Sequence, residues 1–297
     1  MNRWADQFGV ALLQVLLISI VISLIALQFT FTSRAHIHMA KSFEDRVVAQ
    51  LSASSTINEV IFAQLSETVT RVDPASVSIS ETKKRMNSYG APVPWSKGVD
   101  VTVQDLNGLL PQIYPQHVLW RYILERRGMD KKRVDDYLGT WVDIQDPDII
   151  SWRDGDSEPL SLPSGERYLD GYAQTEHPMR WIFRDDNDAL KALLQISDVK
   201  SPFDTNILNS PEVLIDAIFE PKIAAEIKIE RANTAPGKSN IKHLLPRELQ
   251  VENIYQHDSA IRKITVAVAN ENSGWSEEWR VMLTAAEKPP FRILSKK

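Results

Sequence analysis

Hydrophobic positions along the chain fall into three regimes. From residue 10 to 27 the run VALLQVLLISIVISLIAL carries no charge. Eighteen helical residues rise about 27 Å, close to the hydrocarbon thickness of a bilayer, so this run predicts one transmembrane helix. It is long for the core of a secretory signal, and no small-x-small cleavage site follows in Leu27-Gln28-Phe29-Thr30. Beyond the membrane edge, Ile37, Ala40, Val47, Leu51, Ile61, Leu65 and Val69 recur near helical spacing through a polar, Ser-rich stretch. The emerging helix is therefore expected to continue as an amphipathic stem. A simple tether needs only a flexible linker, so a stem of this kind points to packing against other helices.

The third regime is mixed. Alternation in Val77-Ser78-Ile79 and Val99-Asp100-Val101-Thr102-Val103 predicts strands, separated by turn-rich residues 87–98. A block without alternation follows. It holds Val118, Tyr122 and Ile123 before Gly128, then Val134, Tyr137, Leu138, Trp141 and Val142 behind a cap at Asp130. Ala189, Leu190, Leu193 and Leu194 predict another helix. Asn209-Ser210-Pro211-Glu212 opens one more, with Pro211 at its first position, and residues 221–232 and 239–245 complete the run. Strands return at 264–268, 279–283 and 291–294, with a turn at 270–274. Early and late strands flanking an all-helical block predict an α+β fold in which one antiparallel sheet is interrupted by an inserted helical lobe.

Composition narrows the function. With 297 residues, 43% hydrophobic and 25% charged, the chain can bury a full core and more. A net charge of −5 and a pI near 5.7 would repel phosphate, so nucleic acid is excluded as a partner. There is no cysteine, hence no disulfide, thiol nucleophile or thiolate metal site. No His-Glu-x-x-His, Gly-x-Ser-x-Gly or phosphate-loop sequence occurs. His36 and His38, two apart on a helix, point to different sides and make a poor metal pair, and Trp120 and Trp141 fall on apolar helix faces and predict core. An enzyme is not expected.

The amino terminus resembles a class III prepilin leader. MNRWADQFG is a short polar stretch ahead of VALLQVLL. The resemblance implies that a prepilin peptidase cuts after Gly9 on the cytoplasmic side and leaves Val10 as the new terminus of an intact apolar helix. Pilin-like proteins usually carry glutamate at the fifth mature position, and this chain has Gln14. That glutamate is thought to pair with the terminal amine of a neighbour, since a lone charge in hydrocarbon is costly. Lacking it is a habit of the K-type minor pseudopilin of type II secretion, which sits at a filament tip. Gln14 is equally readable as a polar residue facing other helices, like Ser19 and Ser23.

The downstream order also resembles that family. Its echoes are Gln104-Asp105-Leu106-Asn107-Gly108-Leu109, Trp141-Val142-Asp143, Gly165-Glu166-Arg167-Tyr168, and Asn206-Ile207-Leu208-Asn209-Ser210-Pro211-Glu212-Val213-Leu214, with a shortened segment at 171–202. The implied fold is a pseudopilin with a long transmembrane helix, a small antiparallel sheet and a large inserted all-α domain of SAM-like, helix-hairpin type. The implied divisions are leader 1–9, stem helix 10–70, first sheet part 71–104, inserted domain 105–246 and second sheet part 247–297. The implied role is a minor pseudopilin that caps a type II secretion pseudopilus and helps start its assembly for protein export. Implied partners are the I-type and J-type minor pseudopilins, the major pseudopilin, the prepilin peptidase and the inner membrane, with the head in the periplasm. Charges flanking the span do not set its orientation. The competing reading is a single-pass, membrane-anchored periplasmic binding or hydrolytic protein.

One candidate site remains. Acids gather at Asp143, Asp146, Asp148, Asp154, Asp156, Glu158 and Glu166 among Pro147, Gly155, Pro159 and Gly165. Several carboxylates on a loop suit a hard cation, although the spacing is not that of an EF-hand. The family binds calcium in this region, which by resemblance implies Asp143, Asp146 and Glu166 as ligands. A solvated acidic loop is the plain alternative.

Overall fold

The computed structural model describes residues 3–66, 86–113, 117–148, 150–152, 171–202, 204–233, 241–249, 258–269, 274–284 and 287–297. The expected strand at Val77-Ser78-Ile79, Val69 of the stem stripe, and Glu166 with its neighbours lie outside them.

Helix α1 runs from Arg3 to Leu65, 63 residues. That is roughly 95 Å at 1.5 Å per residue. Among the described residues it is the one helix long and apolar enough to cross a membrane. Its hydroxyls turn inward on their own helix. Ser19, Ser23, Thr30 and Thr32 donate to the carbonyls of Val15, Ser19, Ala26 and Gln28 at 2.8–2.9 Å. A hydroxyl satisfied four residues back leaves no open donor toward a hydrocarbon solvent.

The second half of α1 lies on a five-stranded antiparallel sheet of order β1-β2-β5-β6-β7. Its strands are β1 (Val93–Ser96), β2 (Val99–Asp105), β5 (Ile261–Ala269), β6 (Gly274–Leu283) and β7 (Phe291–Lys296). Residues 87–98, expected as turn only, contain β1. Pro94 hid it, and Pro94 is tolerated because β1 is an edge strand. Gly98, at φ 73, supplies the left-handed turn into β2. As expected, early and late strands pair, with Val99 opposite Val268 and Asp105 opposite Arg262. Alternation puts Val99, Val101 and Val103 of β2 and Ile264, Val266 and Val268 of β5 on the inner face. Against them lie Ala49, Ala53, Ile57, Val60 and Ile61 of α1. Two alanines in successive turns let the helix approach the sheet closely.

Between β2 and β5 the chain makes its helical lobe. The helices are α2 (His117–Arg126), α3 (Lys131–Asp143), α4 (His177–Ile182), α5 (Asn187–Ile196), α6 (Glu212–Ile218) and α7 (Pro221–Asn233). Asp130 caps α3 by accepting from the Arg133 amide at 3.0 Å, as its position predicted. Trp120 and Trp141 meet edge to face at 4.8 Å in the lobe core with Phe183, and their indole N–H groups donate to the carbonyls of Pro111 and Gln112. Pro211 stands at the N-cap of α6, one place earlier than expected. Of residues 239–245, the described ones, 241–245, hold a short 3-10 turn at Lys242–Leu244. Helix α4 and a two-stranded parallel ribbon of β3 (Leu110–Pro111) with β4 (Ser197–Asp198) had no clear signal in the pattern.

Candidate functional site

The stem presents two faces of different fate. Helical residues advance about 100°, so positions two apart lie on nearly opposite sides. Ala49, Ala53 and Val60 face the sheet. Leu51 and Phe62, each two residues away from one of them, are 65% and 72% exposed. Ile37, Phe43 and Val48 are also exposed along the stem. The expected stripe thus divides: Ile61 is core, whereas Ile37 and Leu51 point away from this chain's own sheet. The outward row of Ile37, Val48, Leu51 and Phe62 is an apolar helix surface that the described residues of the head leave uncovered. Gln14 is exposed in the apolar span between Leu13 and Val15, and α1 passes without a break through Gly9 and Val10. His36 and His38 are exposed on the stem.

A second constellation roots the lobe in the sheet. Asp105, at the end of β2, is fully buried. It accepts from Ser259 N at 3.0 Å, from Ser259 Oγ at 2.6 Å and from Asn209 Nδ2 at 2.8 Å, and its carboxylate lies 2.9 Å from Arg262. Burial pushes the Asp105 carboxyl above its usual range. The Arg262 charge and the bonds from Ser259 and Asn107 oppose that shift without cancelling it. Asn209 also donates to Asp258 at 3.0 Å, and Gln104 Nε2 donates to Asn209 O at 2.8 Å. The Asn206 amide bonds to Asn107 O at 2.6 Å. Gly108 is wedged there: a Cβ would sit 2.1 Å from Asn209 O. The network brings together two of the sequence echoes, residues 104–109 and 206–214, about a hundred positions apart. Periodicity could not have paired them, and their amide-rich composition was the only signal.

A third junction lies farther along the lobe. Arg280 of β6 is buried and grips Asp198 with Nε at 2.9 Å and Nη2 at 2.7 Å, and its Nη1 reaches Glu278 at 2.7 Å. Burial works against its charge, but Asp198 and the nearby Glu278 and Glu176 outweigh it and hold the guanidinium above its usual range.

For a metal, the described residues offer less than the sequence suggested. Asp143 is buried at the end of α3, where its oxygens accept from Trp152 N at 2.9 Å and Ser151 Oγ at 3.3 Å. Asp148 accepts from Ile150 N at 2.8 Å. Asp146 stands in the turn after α3. No group of three acids or histidines close enough to hold a metal occurs among the described residues. Glu166, the third ligand that the resemblance implies, lies outside the described residues.

No protein-family model and no curated protein matches this chain. Among solved structures it is similar to a chain in the crystal structure of the GspK-GspI-GspJ complex from the enterotoxigenic Escherichia coli type 2 secretion system. The TM-score is 0.55 at 12% identity, over 87% of this chain and 98% of that one. The chain has a pseudopilin-like fold. Its long apolar helix, small antiparallel sheet and helical lobe follow that architecture in order.

Proposed function

We propose that the chain is a K-type minor pseudopilin of a type II secretion machine. In this reading prepilin peptidase cuts after Gly9, and the helix from Val10 onward stays in the inner membrane with the head in the periplasm. The outward row of Ile37, Val48, Leu51 and Phe62 packs against the stems of the I-type and J-type minor pseudopilins, and the major pseudopilin follows below. The observation that carries the reading is this row on a pseudopilin-like fold, because the protein's own sheet takes only the opposite face of the helix. Burial of the row outside the membrane, and close packing within it, would drive assembly. Gln14 suits a subunit with no neighbour above it, since no amine needs a carboxylate partner there. The wide helical lobe would then close the filament tip.

Amino-terminal sequencing of the protein from cells containing prepilin peptidase tests the reading. Val10 as first residue is expected, and an intact Met1 would overturn it. As a subsidiary proposal, calcium is held by Asp143, Asp146 and Glu166 with other acids of 153–170. Calorimetry on the purified chain should show saturable calcium heat, and none at millimolar calcium would dismiss the ion.

A further inference from the structure

Where the lobe faces the end of the sheet there is a cleft of about 440 Å³, lined by residues 174–177, Arg180, Val199 and Lys200 on one side and by Arg280, Ser295 and Lys297 on the other. That volume is within the range of small-ligand sites, about 300–1,000 Å³. We propose that the cleft binds a carboxylate, carried either by a small organic acid or by an acidic side chain of a polypeptide.

The charge pattern carries the proposal. In a chain of net charge −5 this lining holds four cations and one acid, Glu176. Arg280 is already committed to Asp198 and Glu278 and forms the charged back wall. Among the other three, Arg180 and Lys297 have side chains more than half exposed. Arg180 and Lys297 share the one carboxylate of Glu176, at 3.0 and 3.7 Å. Among the described residues Lys200 Nζ meets the neutral Oε1 of Gln174, at 3.3 Å. Two cations thus divide one carboxylate and a third has a neutral partner, so an incoming anion relieves the repulsion among the three.

The rest of the lining points the same way. Val199 and the aliphatic stems of Lys200 and Arg180 add an apolar wall, which suits a carboxylate on a short carbon chain better than a bare inorganic ion. The proposal is independent of the filament role, because binding is read on the purified chain and leader processing is read in cells.

The test is calorimetry of the full-length protein in detergent with succinate, with a blocked Asp-Glu tetrapeptide, and with inorganic phosphate. Saturable binding of succinate or of the peptide is expected, and the tighter of the two identifies the source of the carboxylate. Both should weaken as salt is raised. Affinity should fall about tenfold in Lys200→Glu and less in Arg180→Ala, both variants keeping the wild-type circular dichroism. The proposal fails if neither carboxylate saturates below about 10 mM. It fails equally if phosphate binds as well as both, an adventitious ion only, or if Lys200→Glu and Arg180→Ala leave affinity unchanged.

Discussion

The lobe meets the sheet at two polar junctions built on opposite principles. At the root, Asp105, Asn209, Ser259 and Arg262 form a closed cluster in which donors crowd one buried carboxylate and Gly108 leaves no room for a methyl group. At the far junction, Arg280 grips Asp198 with two prongs and touches Glu278 beside an open cleft lined by further cations. A crowded network fixes one geometry, because every group relies on several others. A smaller cluster beside a cleft fixes less and leaves chemistry available to a ligand.

The sharpest way to break this contrast is to remove both partners of each ion pair. Asp105→Leu with Arg262→Met should cost more than about 3 kcal/mol in a denaturant titration, because Ser259 and Asn209 lose a buried acceptor. Asp198→Leu with Arg280→Met should cost less, about 1–2 kcal/mol, because it strands only Glu278 and the Lys200 amide. Similar costs at the two junctions would erase the distinction. Next in size, Gly108→Ala should cost about 3 kcal/mol, because the intruding Cβ meets backbone and not a flexible side chain. A thermal melt of that single variant measures it.

The two faces of α1 offer a milder comparison. Ile57→Ala, on the sheet side, should destabilise the purified protein by about 3 kcal/mol. Leu51→Glu, on the outward side, should stay within about 0.5 kcal/mol by the same melt. It should nevertheless abolish co-purification with the two minor partners proposed above. The smallest effect concerns pH. His117 is stacked on Trp152 at 4.9 Å, and burial, then the Arg121 charge, hold its imidazole below the usual range. The folded protein therefore resists protonating it. Its contribution to stability is present above the unfolded value of about 6.5 and is lost as pH falls below that value. His117→Phe should flatten that part of the stability profile.

Much of the fold was legible because it rests on short-range patterns. Alternation at Val99, Val101 and Val103 and at Ile264, Val266 and Val268 marked the central strands, and Asp130 marked a helix start. The misses share a physical origin. Pro94 reads as a breaker unless its strand is known to be an edge, and that is a tertiary fact. Helix α4 has six residues, too few for periodicity to show. The stem pattern announced an amphipathic helix, but Ala49 and Ala53 face the sheet by virtue of being small, and a hydrophobicity pattern underrates small residues. At the root, Asp105 and Asn209 are joined across a hundred positions by amide and carboxylate chemistry that has no period at all. The cleft is less legible still, since Lys200, Lys297 and Arg180 read singly as ordinary surface charges.

Asp105 and Arg262 are neighbours across one β-ladder, so the chain departs on its long excursion and returns to the adjacent rung, about 5 Å away. The sheet's hydrogen-bond register is therefore indifferent to how much chain lies between. In principle a tight hairpin could replace the entire excursion, and a different cargo of helices could be grafted at the same two rungs. The strands supply a socket, and what is plugged into it is free to change in size and specificity provided it brings partners for Asp105 and Arg280.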